Sequence, residues 1–82
     1  MSEPTTTIFS VADEKDREIH LILTEVYDAL NQKGYNPINQ IVGYILSEDP
    51  TYITTYEGAR AKITKVDRDD ILQSLVKSYL TK

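Results

Sequence analysis

The stretch Lys33-Gly34-Tyr35-Asn36-Pro37-Ile38-Asn39-Gln40-Ile41-Val42-Gly43-Tyr44-Ile45-Leu46-Ser47-Glu48-Asp49-Pro50 decides how this chain is divided. It contains every proline except Pro4 and every glycine except Gly58. Gly34 can adopt the left-handed conformation that closes a helix. Pro37 suits the first helical position, with Asn36 before it as a cap. Asp49-Pro50 repeats that device and can open a third helix. Between these marks Ile38, Ile41, Val42 and Ile45 share one helical face, and Tyr44 and Leu46 widen it. So broad an apolar surface on so short a helix predicts burial on nearly every side. Ile38, Ile41, Val42, Tyr44 and Ile45 are therefore expected to pack the core and a dimer interface. Gly43 costs roughly 1 kcal/mol of helix propensity relative to alanine, which marks either close approach by another helix or a simple weak spot.

Upstream, Ile19, Ile22, Leu23, Val26 and Leu30 form a single stripe at helical spacing, predicting a helix from about Lys15 to Lys33 with Asp13 as N-cap. Downstream, a short turn is expected from Pro50 to Ile53, interrupted by Thr54 and Thr55. A further helix from Tyr56 to Lys65 places Ala59 and Ile63 together, its start blurred by Gly58. The last helix opens at Asp67, with Asp70 in a capping-box-like position. Ile71, Leu72, Leu75, Val76, Tyr79 and Leu80 give it an apolar stripe. No alternation of period two persists anywhere. The expected fold is all-α, a compact bundle of four to five short helices spanning residues 15–82. Residues 1–14 read as a flexible N-terminal tail, since Thr5-Thr6-Thr7 after Pro4 sets up no helical pattern. Ile8, Phe9 and Val11 are unusual in a tail and suit weak docking or reading by a partner.

Eighty-two residues without cysteine must build their core by packing alone. An apolar content of 40% is low for so small a globule and favours a core shared in a homodimer. No apolar run is long enough to span a bilayer, and no secretory leader precedes the domain, so membrane insertion is not expected and the cytoplasm is the expected location. A net charge of −4 argues against general affinity for nucleic acid. The charge is uneven, with acids prevailing over residues 1–31 and bases over 60–82.

Chemistry is scarce. His20 is the sole histidine and reads as a surface residue beside the first stripe. One imidazole with scattered carboxylates makes neither a zinc site nor a catalytic triad. With no phosphate loop or nucleophile motif either, no catalytic residue, metal or cofactor is expected, and the chain is not read as an enzyme. Six tyrosines, among them Tyr35 and Tyr44, could rim a groove. Arg60, Lys62, Lys65 and Arg68 could receive phosphate, although a solvated helix face is the simpler account of them. The two helices around Gly34 have a helix–turn–helix outline, which makes a nucleic-acid binder the alternative reading. The second helix, however, offers only Asn39 and Gln40 to a DNA groove. A phosphate on Thr5, Thr6 or Thr7 would add close to two negative charges to the tail.

From Lys33 to Tyr44 the sequence resembles the IreB family of regulatory phosphoproteins from low-GC Gram-positive bacteria, which reads KGYNPINQIVGY here. Leu46-Ser47-Glu48-Asp49-Pro50-Thr51-Tyr52-Ile53 is similar to the family's LSGDPAYI. Likeness continues through Ala59-Arg60, Arg68-Asp69 and Leu75-Val76-Lys77-Ser78-Tyr79-Leu80, and upstream through Leu23-Thr24-Glu25-Val26-Tyr27. The resemblance implies a small, cytoplasmic, dimeric helical protein without enzymatic activity. It implies phosphorylation by a transmembrane Ser/Thr kinase with PASTA repeats, removal by the cognate phosphatase, and a role in cell-envelope stress and β-lactam (cephalosporin) resistance. The family's modified threonines lie in a tail pattern like T-D-E-T-V-R-F. Here the threonine–aliphatic pair selects Thr7, an ungapped match selects Thr6, and Thr5 lies nearest the family's first threonine.

Overall fold

A computed structural model describes residues 11–81, with the side chains of 14–81. Four α-helices are present: α1 (Val11–Gln32), α2 (Pro37–Ser47), α3 (Ala59–Thr64) and α4 (Arg68–Leu80). Two 3-10 turns, Pro50–Tyr52 and Tyr56–Gly58, lie between α2 and α3. Among the described residues there is no strand. The all-α expectation holds.

The longest element is also the spine. Ile19, Val26, Ala29 and Leu30 of α1 are buried, and Ile22 and Leu23 pack beside them. The other helices contribute Tyr44, Ala59, Ile63 and Ile71 to the same cluster, and Ile53, just after the first 3-10 turn, joins them. Each fully buried aliphatic side chain contributes about 1.5–3 kcal/mol of transfer free energy. α1 begins at Val11, a turn earlier than the pattern suggested, so Asp13 lies inside the helix and is not its cap. The acids near its start favour the extension, because negative charge is stabilised at a helix N-terminus.

The joints behave as their residues dictate. Gly34 has φ +84°, and the Tyr35 N–H donates to the Leu30 carbonyl at 3.0 Å while the Gly34 N–H donates to Asn31 at 3.1 Å. That pair of bonds is a Schellman closure of α1. Asn36 caps α2 by accepting from the Asn39 N–H at 3.1 Å, with Pro37 in the first turn. Asp49 accepts from the Thr51 N–H at 3.0 Å and caps the first 3-10 turn. The helix expected from Tyr56 to Lys65 is split, because Glu57 and Gly58 both take positive φ. Asp67 precedes α4, but no side-chain capping bond forms there. Asp70 turns instead to Lys15, at 3.0 Å.

Gly43 has a specific reason to be glycine. A Cβ there would lie 2.4 Å from Cε1 of Tyr52, so the close approach comes from an aromatic ring of the following 3-10 turn and not from another helix. The Tyr52 carbonyl also accepts from Gln40 Nε2 at 2.9 Å, fastening that turn along α2. Gly43→Ala is expected to lose about 1 kcal/mol net, because displacing the ring outweighs the gain in helix propensity. In a Tyr52→Ala background the same change is expected to stabilise, a reversal of sign that a urea-denaturation double-mutant cycle reads directly.

Candidate interaction surface

α2 divides its apolar residues between two surfaces. Tyr44 is buried in the core, and Ile41 and Ile45 are partly buried against it. Burial pushes the Tyr44 phenol above its ordinary pKa. Ile38 and Val42 face outward, 59% and 46% exposed, and Leu46 is more exposed still. Of the residues expected to pack the core and a dimer interface, Tyr44 is thus in the core of the single chain, whereas Ile38 and Val42 are not covered within it. The stripe of α4 is likewise split. Ile71 is its one buried residue, while Leu72, Leu75, Val76, Tyr79 and Leu80 are exposed.

These outward residues meet. Ile38, Ile41, Val42 and Ile45 line an open groove of about 470 Å³ with Leu23 and Tyr27 of α1 and Leu75 of α4. Leu72, Val76 and Leu80 border a neighbouring hollow on α4. Leu75 was legible as part of an apolar stripe, but its meeting with α2 depends on how α4 crosses α1. Contiguous exposed apolar surface of this kind marks a place that another surface covers.

The tyrosines have separate duties. Tyr44 is in the core, Tyr52 lies over Gly43, and Tyr27 lines the apolar groove. Lys33 Nζ stands 5.3 Å from the centroid of the Tyr56 ring, a cation–π contact. Tyr35 is half exposed. His20 is exposed at the edge of the apolar groove.

Arg60, Lys62, Lys65 and Arg68 do not converge. Arg60 Nε donates to the Ile53 carbonyl at 2.8 Å, holding the segment before α3. Arg68 donates to the Ile45 carbonyl and to the Glu48 carboxylate, which ties the C-terminus of α2 to the start of α4. Lys62 pairs with Glu25 at 3.2 Å. Lys65 borders the same hollow as Lys62, where Lys15, Glu18, Asp67 and Asp70 also gather. Acids offset the lysines there. Thr5, Thr6 and Thr7 lie outside the described residues.

Among the described residues no group of three His, Cys, Asp or Glu side chains could hold a metal ion. No helix among them is long and apolar enough to cross a membrane. The nucleic-acid alternative finds no support in the second helix: Gln40 is committed to Tyr52, and Ile38, Val42 and Leu46 occupy its outer face. Fold and surface define a small helical protein with an exposed apolar face on α2 and α4.

The profile of the IreB regulatory phosphoprotein family matches residues 4–81. A protein of Acetivibrio thermocellus named UPF0297 protein is 55% identical over 80 residues, covering 98% of this chain and 89% of that relative. The chain belongs to the IreB regulatory phosphoprotein family.

Glu48 stands where the resemblance has glycine, and its φ of +60° is the left-handed value that glycine adopts without strain. The Arg68 pair offsets part of that strain. Glu48→Gly is expected to raise stability by about 0.5–1 kcal/mol at high ionic strength, where the exposed pair is screened, and by less at low ionic strength. Thermal unfolding at two salt concentrations measures the difference.

Proposed function

We propose that this chain is a non-enzymatic cytoplasmic regulator, phosphorylated on its N-terminal threonines by a Ser/Thr kinase of the PASTA-repeat type and reset by the cognate phosphatase. The observation that carries the reading is the family match, which extends from residue 4 and so includes Thr5, Thr6 and Thr7. In the modification, a threonine Oγ takes the γ-phosphoryl group of ATP, releasing ADP and a proton. The output would be control of cell-envelope stress and β-lactam (cephalosporin) resistance, as the family resemblance implies. A regulator of this kind needs a surface for partners rather than a catalytic pocket, and the apolar groove of α1, α2 and α4 supplies one.

The same groove supports a homodimer. Val42 of α2 and Leu75 of α4 both line it and are both exposed in the single chain. A second copy would cover apolar surface that so small a core leaves outside. Ile38, Ile41, Val42 and Ile45 are then the dimer-packing residues, while Tyr44 serves the core of each subunit.

Incubation with such a kinase and ATP is expected to add the mass of at least one phosphate, mapped to the peptide bearing Thr5, Thr6 and Thr7. An unmodified tail would defeat the kinase-substrate reading. Val42→Asp is expected to convert dimer to monomer in sedimentation equilibrium without loss of helical circular dichroism. Val42 is preferred to Ile41 for this purpose because Ile41 also packs on the core. A wild-type chain that sediments as a folded monomer at all concentrations would count against the dimer.

A further inference from the structure

α4 divides its exposed apolar residues between two surfaces. Leu75 lines the groove shared with α1 and α2. Leu72, Val76 and Leu80 line a separate open hollow of about 710 Å³, bounded on the α1 side by Asp16. Val76 follows Leu75 by one residue, about 100° round the helix, so the hollow is turned from the groove. Among the described residues none lines both. Leu72 and Val76 are about half exposed, and Leu80 is more exposed still. A second copy seated in the groove does not thereby fill this hollow, and apolar walls favour an apolar occupant.

The sequence holds an occupant of that chemistry. Ile8 and Phe9 form an apolar pair in the N-terminal segment, outside the described residues. An aromatic ring buries about 150–250 Å² where it finds cover. Reach selects the site. α1 begins at Val11. Phe9 and Ile8 stand two and three residues before it, at most about 7 and 11 Å of extended chain. Asp16 lies five residues beyond Val11, a rise of about 7.5 Å. A chain that reverses at the start of α1 thus brings the pair level with Asp16 and the hollow beside it. Leu23 and Tyr27 of the groove lie about 18 and 24 Å along α1 from Val11, beyond the reach of the same pair. Gln73 and Thr81 at the border of the hollow offer hydrogen-bonding groups to the backbone of an entering segment.

We propose that Ile8 and Phe9 dock in the hollow of Leu72, Val76 and Leu80, so that the N-terminal segment folds back onto α4 of its own chain. The docked pair covers a side of α4 that the groove does not include. It adds an apolar contact to an element whose only fully buried side chain is Ile71. Thr7 adjoins the pair, which brings the candidate phosphoacceptors alongside α4. The docking goes beyond the kinase-substrate reading and does not rest on it.

The test uses the full-length chain with para-fluorophenylalanine in place of phenylalanine, which labels Phe9 alone. Its fluorine NMR resonance is compared with that of a synthetic peptide of residues 1–10 carrying the same label. Docking is expected to displace the resonance from the peptide's position and to broaden it. Val76→Asp and Leu80→Asp, both at exposed positions, are each expected to return it to the peptide's position with helical circular dichroism retained. Val42→Asp, in the groove, is expected to leave it displaced, as is dilution. A wild-type resonance at the peptide's position overturns the proposal. A displaced resonance that both α4 variants leave unchanged overturns it too. Displacement lost on dilution or in Val42→Asp assigns the segment to a second copy and equally defeats docking within one chain. No kinase enters the experiment, so its outcome is separate from that of the kinase-substrate reading.

Discussion

Ile19, Val26, Ala29 and Leu30 share one face of α1, and each of the other three helices adds one or two buried side chains to the same cluster, Tyr44, Ala59 with Ile63, and Ile71, joined by Ile53 of the linking segment. The chain is too short to build a second layer over the backs of the smaller helices. Each of them is buried on the side that meets α1 and open on the other. From that constraint follow the exposed faces of α2 and α4, the apolar groove between them, and the need for polar fastenings at their ends.

Those fastenings are local and varied. The Schellman bonds at Gly34 turn the chain back so that α2 can lie on α1. Gln40 and the Tyr52 ring hold the following 3-10 turn along α2, the ring resting where Gly43 lacks a side chain. Arg60 secures the segment before α3 through the Ile53 carbonyl, and Arg68 joins the end of α2 to the start of α4. α4 depends on such contacts more than the others, since Ile71 is its only fully buried side chain. Lys15–Asp70 and Asp16–Lys77 are among its ties to α1. Exposed ion pairs are weak and exchangeable, which makes α4 the element best suited to respond to a change of charge. The basic residues of the second half thus serve mainly as structural ties, and charge asymmetry along the chain becomes cross-helix pairing in the fold.

Membership of a regulatory phosphoprotein family accords with this division of labour. The folded residues offer an apolar surface and a set of ionic ties, with no grouping of side chains suited to hold a metal among the described residues.

Local signals determined the elements and the joints: Gly34, Asn36-Pro37 and Asp49-Pro50 act through φ preferences and capping bonds that span a few residues, so their roles were legible without a fold. The stripe of α1 was legible for the same reason, because a period of 3.6 residues is a property of one helix. Helix ends were less so. Asp13 has the chemistry of a cap, yet the helix runs past it, and Asp70 left its own backbone for Lys15. Burial was less legible still. Hydrophobicity shows that Ile38 and Val42 seek cover, but whether α1 or another molecule can supply it depends on how many helices fit around one spine. Tyr44 and Val42 are neighbours of similar promise in the sequence, and only the placement of α2 sends one inward and leaves the other exposed. The pairing of Asp16 with Lys77 was hidden for a related reason: the two lie far apart in the chain and meet only because α4 packs beside the first turns of α1. The sequence by itself determined where the helices are and how they are joined; the tertiary structure decided which of their faces are spent on α1 and which remain to be covered, because packing against a common spine is a property of all the helices together.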